Sequence, residues 1–150
     1  MPERLVLVRH AKAERDGPSD AERRLAPRGR ADAAAVGRWL ASQRIAPDQV
    51  VISPTLRTQE TWELTGIGSP PADLDDRIYD NTVEDLLAVV RDTPPHVHTL
   101  LLVGHNPSMA TLAASWAPEL SEFRTSAVAI FELDNWWSPG RLIASATPRG

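Results

Sequence analysis

Leu5-Val6-Leu7-Val8, followed at once by Arg9-His10, is the stretch that decides the fold class. Four consecutive aliphatic residues, rich in branched side chains, predict a buried β-strand. In α/β proteins the carboxyl ends of such strands face the crevice in which ligands bind. A guanidinium and an imidazole at this position therefore indicate a functional site at the end of the strand.

Apolar runs and helical patterns alternate along the rest of the chain. Further strands are predicted at 50–52, 99–103, 127–133 and 142–146, and helices at 29–45, 55–64, 85–91 and 109–116. Alternation of this kind implies parallel strands joined by crossover helices, and the last two strands form a hairpin across 135–141. We therefore predict an α/β fold, a three-layer α/β/α sandwich with a mostly parallel central sheet and an antiparallel edge.

The composition is that of a globular domain and gives no sign of a nucleic-acid or membrane partner. The chain has 150 residues, of which 42% are hydrophobic and 24% charged, and these values predict one globular domain over residues 1–150. The net charge of −4 gives no general attraction to nucleic acid or to an anionic membrane, so neither is an expected partner. An anion site, if present, must be local.

Two further features of the sequence limit its chemistry and location. The chain has no cysteine, which excludes disulfides, thiolate nucleophiles and sulfur-bound metals. The amino-terminal aliphatic run is too short for a signal peptide or a membrane span, so we expect a cytoplasmic protein.

A second motif, Ser53-Pro54-Thr55-Leu56-Arg57, follows the predicted strand at 50–52. Serine is a good helix N-cap and proline suits the first helical position, which places Arg57 in the opening turn. Arg57 is then expected to point into the same crevice as Arg9 and His10.

A third motif, Gly104-His105-Asn106-Pro107, follows the strand at 99–103 in the same way. We expect Asn106 to be the N-cap and Pro107 the first helical residue. Gly104 permits a close approach of the chain, and the helix start offers free N–H groups to an anion. His105 would then stand beside that anion.

Two arginines, two histidines and two helix starts at one sheet edge suit a phosphoryl group better than other common ligands. Arginine binds phosphate oxygens through its planar fork of donors, and fixed positive charge stabilises a phosphoryl group during transfer. One histidine can act as the nucleophile through the free lone pair of a neutral imidazole, and the other can donate to the phosphate. Spacing alone does not decide which histidine has which role.

The three motifs together resemble the histidine phosphatase superfamily. The resemblance rests on Arg9 to Glu14, on Ser53 to Thr61 and on Val103 to Pro107. Leu25-Ala26-Pro27-Arg28-Gly29, Phe123-Arg124-Thr125-Ser126-Ala127 and the short chain are similar to the short phosphohistidine phosphatase branch.

The resemblance implies roles for individual residues. His10 would be the residue that is transiently phosphorylated, while Arg9, Arg57 and His105 hold the phosphoryl group, with Asn106 as a further phosphate-binding residue. Asp76, in the segment Leu74-Asp75-Asp76-Arg77-Ile78-Tyr79, matches the position of the family's carboxylate proton donor. Asp80 and Glu84 are competing candidates for that role.

The resulting expectation is a metal-independent phosphatase that needs no cofactor and acts on phosphohistidine in a protein partner. Two alternatives remain open at this point. The substrate could be a small phosphomonoester, or the chain could be a phosphoprotein-binding module that has kept the pocket without catalysis.

Overall fold

Six strands form a single mixed sheet in the computed structural model, which describes residues 2–149. The strands are β1 (Glu3–Arg9), β2 (Gln49–Ile52), β3 (Ala72–Leu74), β4 (Thr99–Gly104), β5 (Val128–Leu133) and β6 (Arg141–Ala146). Their order across the sheet is β3-β2-β4-β1-β5-β6. Strands β3, β2, β4 and β1 are mutually parallel, whereas β5 runs antiparallel to both β1 and β6. The predicted mostly parallel sheet with an antiparallel edge is confirmed.

Helices cover both faces of this sheet. They are α1 (Pro27–Ser42), α2 (Leu56–Leu64), α3 (Val83–Arg91) and α4 (Ser108–Trp116). Successive side chains of a strand point to opposite faces, and β1 accordingly contributes to two separate cores. Leu5 and Leu7 pack with residues of α3 and α4, whereas Val6 and Val8 pack with residues of α1 and α2. The three-layer sandwich predicted from the sequence is therefore confirmed.

The capping residues of two helices differ from the predictions. Helix α2 begins at Leu56 with Thr55 as its N-cap, not with Ser53 and Pro54, because Ser53 is still held to the neighbouring strand by its N–H. Helix α4 begins at Ser108 with Pro107 at the N-cap. Asn106 still stabilises this start, since its Oδ1 accepts a 3.1 Å hydrogen bond from the Ala110 N–H.

Strand β3 was not predicted. It has three residues, and two of them, Asp73 and Leu74, are exposed, so neither a hydrophobic run nor a clear alternation marks it. It extends the parallel part of the sheet by pairing with β2. Among residues 2–149, no helix has the length and apolar character needed to cross a membrane.

Candidate active site at the carboxyl edge of the sheet

Sheet order brings the three predicted motifs together. Strand β4 lies between β1 and β2, so the residues that follow these strands are neighbours at one edge. Backbone hydrogen bonds fix this arrangement: the His10 N–H donates to the Gly104 carbonyl at 3.0 Å, and the Ser53 N–H donates to the Val103 carbonyl at 3.2 Å. These bonds hold the three motifs next to one another although they are far apart in the sequence.

A cavity of about 500 Å³ opens at this edge. Its lining combines the predicted Arg9, His10, Arg57, His105 and Asn106 with Asp20, Arg23, Tyr79 and Asp80. Three arginines and two histidines thus face the same space. The three guanidinium groups outnumber the two carboxylates of the lining, Asp20 and Asp80, so the fixed charge around the cavity is net positive.

The backbone carbonyl of the next residue, Ala11, holds the ring of His10 in one orientation. Its Nδ1 lies 2.8 Å from the carbonyl oxygen of Ala11. Because a carbonyl only accepts hydrogen bonds, Nδ1 carries the proton and Nε2 carries the free lone pair. Burial, and next the positive charges of Arg9 and Arg57, lower the pKa of His10 to about 4. The imidazole is therefore neutral at physiological pH, with its free lone pair on Nε2.

His105 lies beside His10, with 5.2 Å between the ring centroids. Its Nε2 is 2.8 Å from the hydroxyl oxygen of Ser53. Burial lowers the pKa of His105 to about 3, and the nearby His10 and Arg57 act in the same direction. Both histidines are thus neutral at pH 7, and the fixed positive charge comes from the arginines.

Arg57 is buried, with only 5% of its surface exposed. Both of its terminal nitrogens donate to Asp20: Nη1 to the backbone carbonyl at 2.7 Å and Nη2 to Oδ2 at 3.0 Å. The helical start at Leu56 aims the guanidinium toward the cavity, and the Asp20 segment holds it there.

Asp20 is also bound by two other residues of the lining. Tyr79 donates its hydroxyl to Oδ2 at 2.6 Å, and Arg23 Nη1 donates to Oδ1 at 3.0 Å. The Tyr79 hydrogen bond, followed by that from Arg57, holds the pKa of Asp20 far below its usual range. Asp20 is therefore an anion at every pH at which the protein would work.

Sequence reasoning missed Asp20, Arg23 and Tyr79. One signal was available for the first two, because the loop between His10 and Pro27 is long for a strand-to-helix connection, and such loops are commonly functional. Tyr79 carried no such signal. Its place beside His105, with 5.6 Å between ring centroids, depends on contacts between distant parts of the chain.

Arg9 and Asn106 meet at one backbone group. The carbonyl of Phe123 accepts from Arg9 Nη1 at 3.3 Å and from Asn106 Nδ2 at 2.7 Å. Burial lowers the pKa of Arg9, although a guanidinium remains charged in proteins. The loop before β5 therefore fixes two of the residues expected to bind phosphate.

The three carboxylates considered as proton donors lie in different places. Asp76 is exposed in a short 3₁₀ helix (Asp76–Ile78) and is not part of the cavity lining. Glu84 is exposed in the first turn of α3 and also lies outside the lining. Asp80 alone of the three lines the cavity. The position matched by resemblance is therefore not the one that the fold brings to the site.

Within the part of the chain that the structure describes, no three histidine, aspartate or glutamate side chains are grouped so that they could hold a metal ion.

Comparisons with known proteins agree with this geometry. The family model for the histidine phosphatase superfamily (branch 1) matches residues 5–86. An uncharacterized protein of Mycobacterium tuberculosis (strain H37Rv) is 35% identical over 143 residues, covering 87% of this chain and 90% of the relative. The phosphohistidine phosphatase SixA of Escherichia coli (strain K12) is 28% identical over 137 residues, covering 87% and 85% of the two chains.

Solved structures show the same relationship. A protein from Nakamurella multipartitia, described provisionally as a phosphohistidine phosphatase SixA, superposes with a TM-score of 0.91 at 29% identity, covering 100% of this chain and 98% of that chain. The protein histidine phosphatase SixA complexed with tungstate superposes with a TM-score of 0.86 at 27% identity, covering 97% of each chain. With its three motifs meeting at one cavity, the chain belongs to branch 1 of the histidine phosphatase superfamily.

Proposed function

We propose that this protein is a phosphatase that removes phosphate from phosphohistidine in a protein partner through a covalent intermediate on His10. The observation that carries the proposal is the fixed orientation of His10. Its Nδ1–H is bound by the Ala11 carbonyl, while Nε2 has no hydrogen-bond partner among the described residues, in a cavity with three arginines. A neutral imidazole in this setting is an activated nucleophile.

The reaction proceeds in two displacements. Nε2 of His10 attacks phosphorus in line and the P–N bond to the substrate imidazole breaks. The departing nitrogen keeps the bond electrons, and the leaving ring takes a proton from solvent, so that it departs as neutral imidazole. Water then attacks phosphorus, the bond to His10 breaks, and inorganic phosphate leaves. Arg9, Arg57 and His105 bind the equatorial oxygens in both steps, and the Asn106 amide adds a further donor.

A dedicated acid matters little for this substrate. Imidazole leaves from phosphorus more readily than an alkoxide, so protonation of the leaving group contributes less. We assign no such role to Asp76, which is exposed outside the cavity lining. Asp80 is the carboxylate that could assist the release of a poorer leaving group.

The setting of the cavity favours a protein substrate. All four α-helices contribute to the cores on the two faces of the sheet, and the cavity at its carboxyl edge is open to solvent and not enclosed. The related SixA structure is complexed with tungstate, a tetrahedral oxyanion, and this supports binding of a phosphoryl group by the present chain. A cytoplasmic location remains a prediction, which cell fractionation would test.

The decisive experiment compares wild type with His10→Ala on two kinds of substrate. We expect rapid phosphate release from a phosphohistidine protein, slower release from a panel of small phosphomonoesters, and an acid-labile label on His10 after brief incubation with either. His10→Ala should lose both the label and turnover. Full activity of His10→Ala would refute the mechanism, and a strong preference for esters would reverse the assignment of substrate. Binding of phosphoprotein without label or turnover would instead favour a non-catalytic module.

A further inference from the structure

Ser53 is a buried residue whose side chain reaches the site without lining the cavity. Its hydroxyl oxygen lies 2.8 Å from Nε2 of His105, and the residue has no exposed surface. The backbone of Ser53 is fixed from two sides, since its N–H donates to Val103 and its carbonyl accepts from the Thr58 hydroxyl at 2.7 Å. The hydroxyl is thus held in place against the imidazole.

The direction of this hydrogen bond follows from the other contacts of the hydroxyl. Among residues 2–149, His105 Nε2 is its only hydrogen-bond partner. If Nε2 were the donor, the hydroxyl proton of Ser53 would be buried without an acceptor, which is costly. The hydroxyl therefore donates to Nε2, and this requires an unprotonated Nε2.

The charge state of His105 then decides where its proton lies. Burial and the nearby positive charge of Arg57 keep the imidazole neutral, so the ring carries one proton. Since Nε2 accepts from Ser53, that proton is on Nδ1, which makes no hydrogen bond to the described residues. His10 shows the same tautomer for a different reason, because a backbone carbonyl accepts from its Nδ1.

We propose that Ser53 is a positioning residue that fixes the proton of His105 on Nδ1, so that a neutral imidazole donates from Nδ1 to a phosphoryl oxygen. The phosphoryl partner in this statement rests on the proposed function, whereas the tautomer is a property of the protein itself. Ser53 acts through His105 and does not touch the substrate.

The tautomer is tested directly by ¹⁵N NMR of protein labelled at histidine, at neutral pH and without ligand, with His105→Gln used to assign the signals. We expect Nδ1 of His105 to show the shift of a protonated nitrogen and Nε2 that of an unprotonated one. A protonated Nε2 in the wild-type protein would overturn the proposal, and this result needs no variant of Ser53.

The functional consequence is tested with Ser53→Ala. We expect His105 to redistribute its proton toward Nε2, and kcat/KM and tungstate affinity to fall about tenfold, the effect of one lost hydrogen bond to an anion. Thr93→Val is the matched control, because Thr93 is buried outside the cavity lining and its hydroxyl has no hydrogen-bond partner among the described residues. It should keep both the wild-type tautomer and wild-type activity.

The outcomes separate this inference from the proposed function. An unchanged His105 tautomer in Ser53→Ala would overturn the role of Ser53, even if activity fell. A wild-type protein with the expected tautomer but no label on His10 would instead refute the proposed function and leave the assignment of the proton intact.

Discussion

Both terminal nitrogens of Arg57 donate to Asp20, one to its backbone carbonyl and one to its carboxylate. The guanidinium that we propose as a phosphate ligand is therefore already engaged by an acidic side chain. A phosphoryl group entering the cavity must either share the donors of Arg57 with Asp20 or displace Asp20 from them. The affinity of the site for oxyanions is set partly by this internal competition.

Asp20→Asn should strengthen the binding of oxyanions. The change keeps the size of the side chain but removes a negative charge near the place of the phosphoryl group, where repulsion of about 1 kcal/mol is expected for partly exposed charges. We expect the Kd of tungstate, measured by calorimetry, to fall roughly threefold to tenfold. Asp134→Asn, at an exposed acidic residue after β5 and outside the cavity lining, is the control. Weaker binding by Asp20→Asn would show that Asp20 chiefly holds Arg57 in place.

The stability of the protein should fall on mild acidification. The pKa values of His10 and His105 lie at about 4 and about 3 in the folded protein, below the ordinary 6.5. Between these values and 6.5 the unfolded chain binds more protons, so the free energy of unfolding decreases as pH falls. Each histidine should contribute on the order of 1–2 kcal/mol to the loss between pH 7 and pH 5.

Urea unfolding at these two pH values measures the effect. In His10→Gln and in His105→Gln the difference between pH 7 and pH 5 should shrink, while His96→Gln, at an exposed position, should keep the wild-type difference. An identical pH dependence in all four proteins would contradict the assigned charge states.

Arg57→Lys should reduce catalysis even though the positive charge is kept. Lysine cannot reproduce the planar fork that binds an oxyanion and the Asp20 carbonyl together. We expect kcat/KM to fall on the order of 100-fold, as for other donors that stabilise transition-state charge. Arg141→Lys, at an exposed arginine of β6, should leave kcat/KM unchanged. If Arg57→Lys kept more than half of the activity, bidentate binding by Arg57 would be wrong.

Asn106→Ala should lower both stability and activity. Its Oδ1 accepts from the Ala110 N–H at the start of α4, and its Nδ2 donates to Phe123. Loss of these bonds should cost about 1–2 kcal/mol of unfolding free energy. Asn135→Ala, which removes one exposed contact to the Trp137 N–H, should cost less. Thermal and urea unfolding of the two variants give the comparison, and equal losses would argue against the anchoring role of Asn106.

Asp80 and Asp76 should behave differently toward substrates with poor leaving groups. Asp80 lines the cavity and Asp76 does not. We expect Asp80→Asn to slow the hydrolysis of alkyl phosphate esters more than that of phosphohistidine, since an alkoxide needs a proton as it leaves. Asp76→Asn should stay within about twofold of wild type on both substrates. The reverse ranking, in steady-state assays, would restore Asp76 as the proton donor.

Much of the fold could be predicted from the sequence because it depends on local patterns. The aliphatic runs that became β1, β2 and β4 and the alternation with helices were sufficient for the layer order. Strand β3 escaped because Asp73 and Leu74 are exposed and the element is short. Helix α2 begins later than its predicted cap because Ser53 is bound to the adjacent strand, a contact that capping preferences do not include.

The candidate site likewise contains residues that the sequence predicted and residues that it did not. Arg9, His10, Arg57 and His105 follow strand ends, and parallel topology alone brings such residues together. Asp20 begins one short 3₁₀ helix (Asp20–Glu22) and Tyr79 directly follows another, and their hydrogen bond joins residues that are far apart in sequence. Contacts of this kind depend on the packed structure, so sequence motifs and hydrophobic periodicity do not predict them.

Through the Phe123 carbonyl, the loop before β5 controls the position of two proposed phosphate ligands, although Phe123 does not line the cavity. Because this single acceptor holds both Arg9 and Asn106, a small displacement of the loop moves two proposed phosphate ligands at once, with no change of charge in the cavity. Substitutions in this loop could tune how tightly the enzyme holds its product without altering the nucleophile. Directed variation of turnover could therefore begin at residues that never meet the substrate.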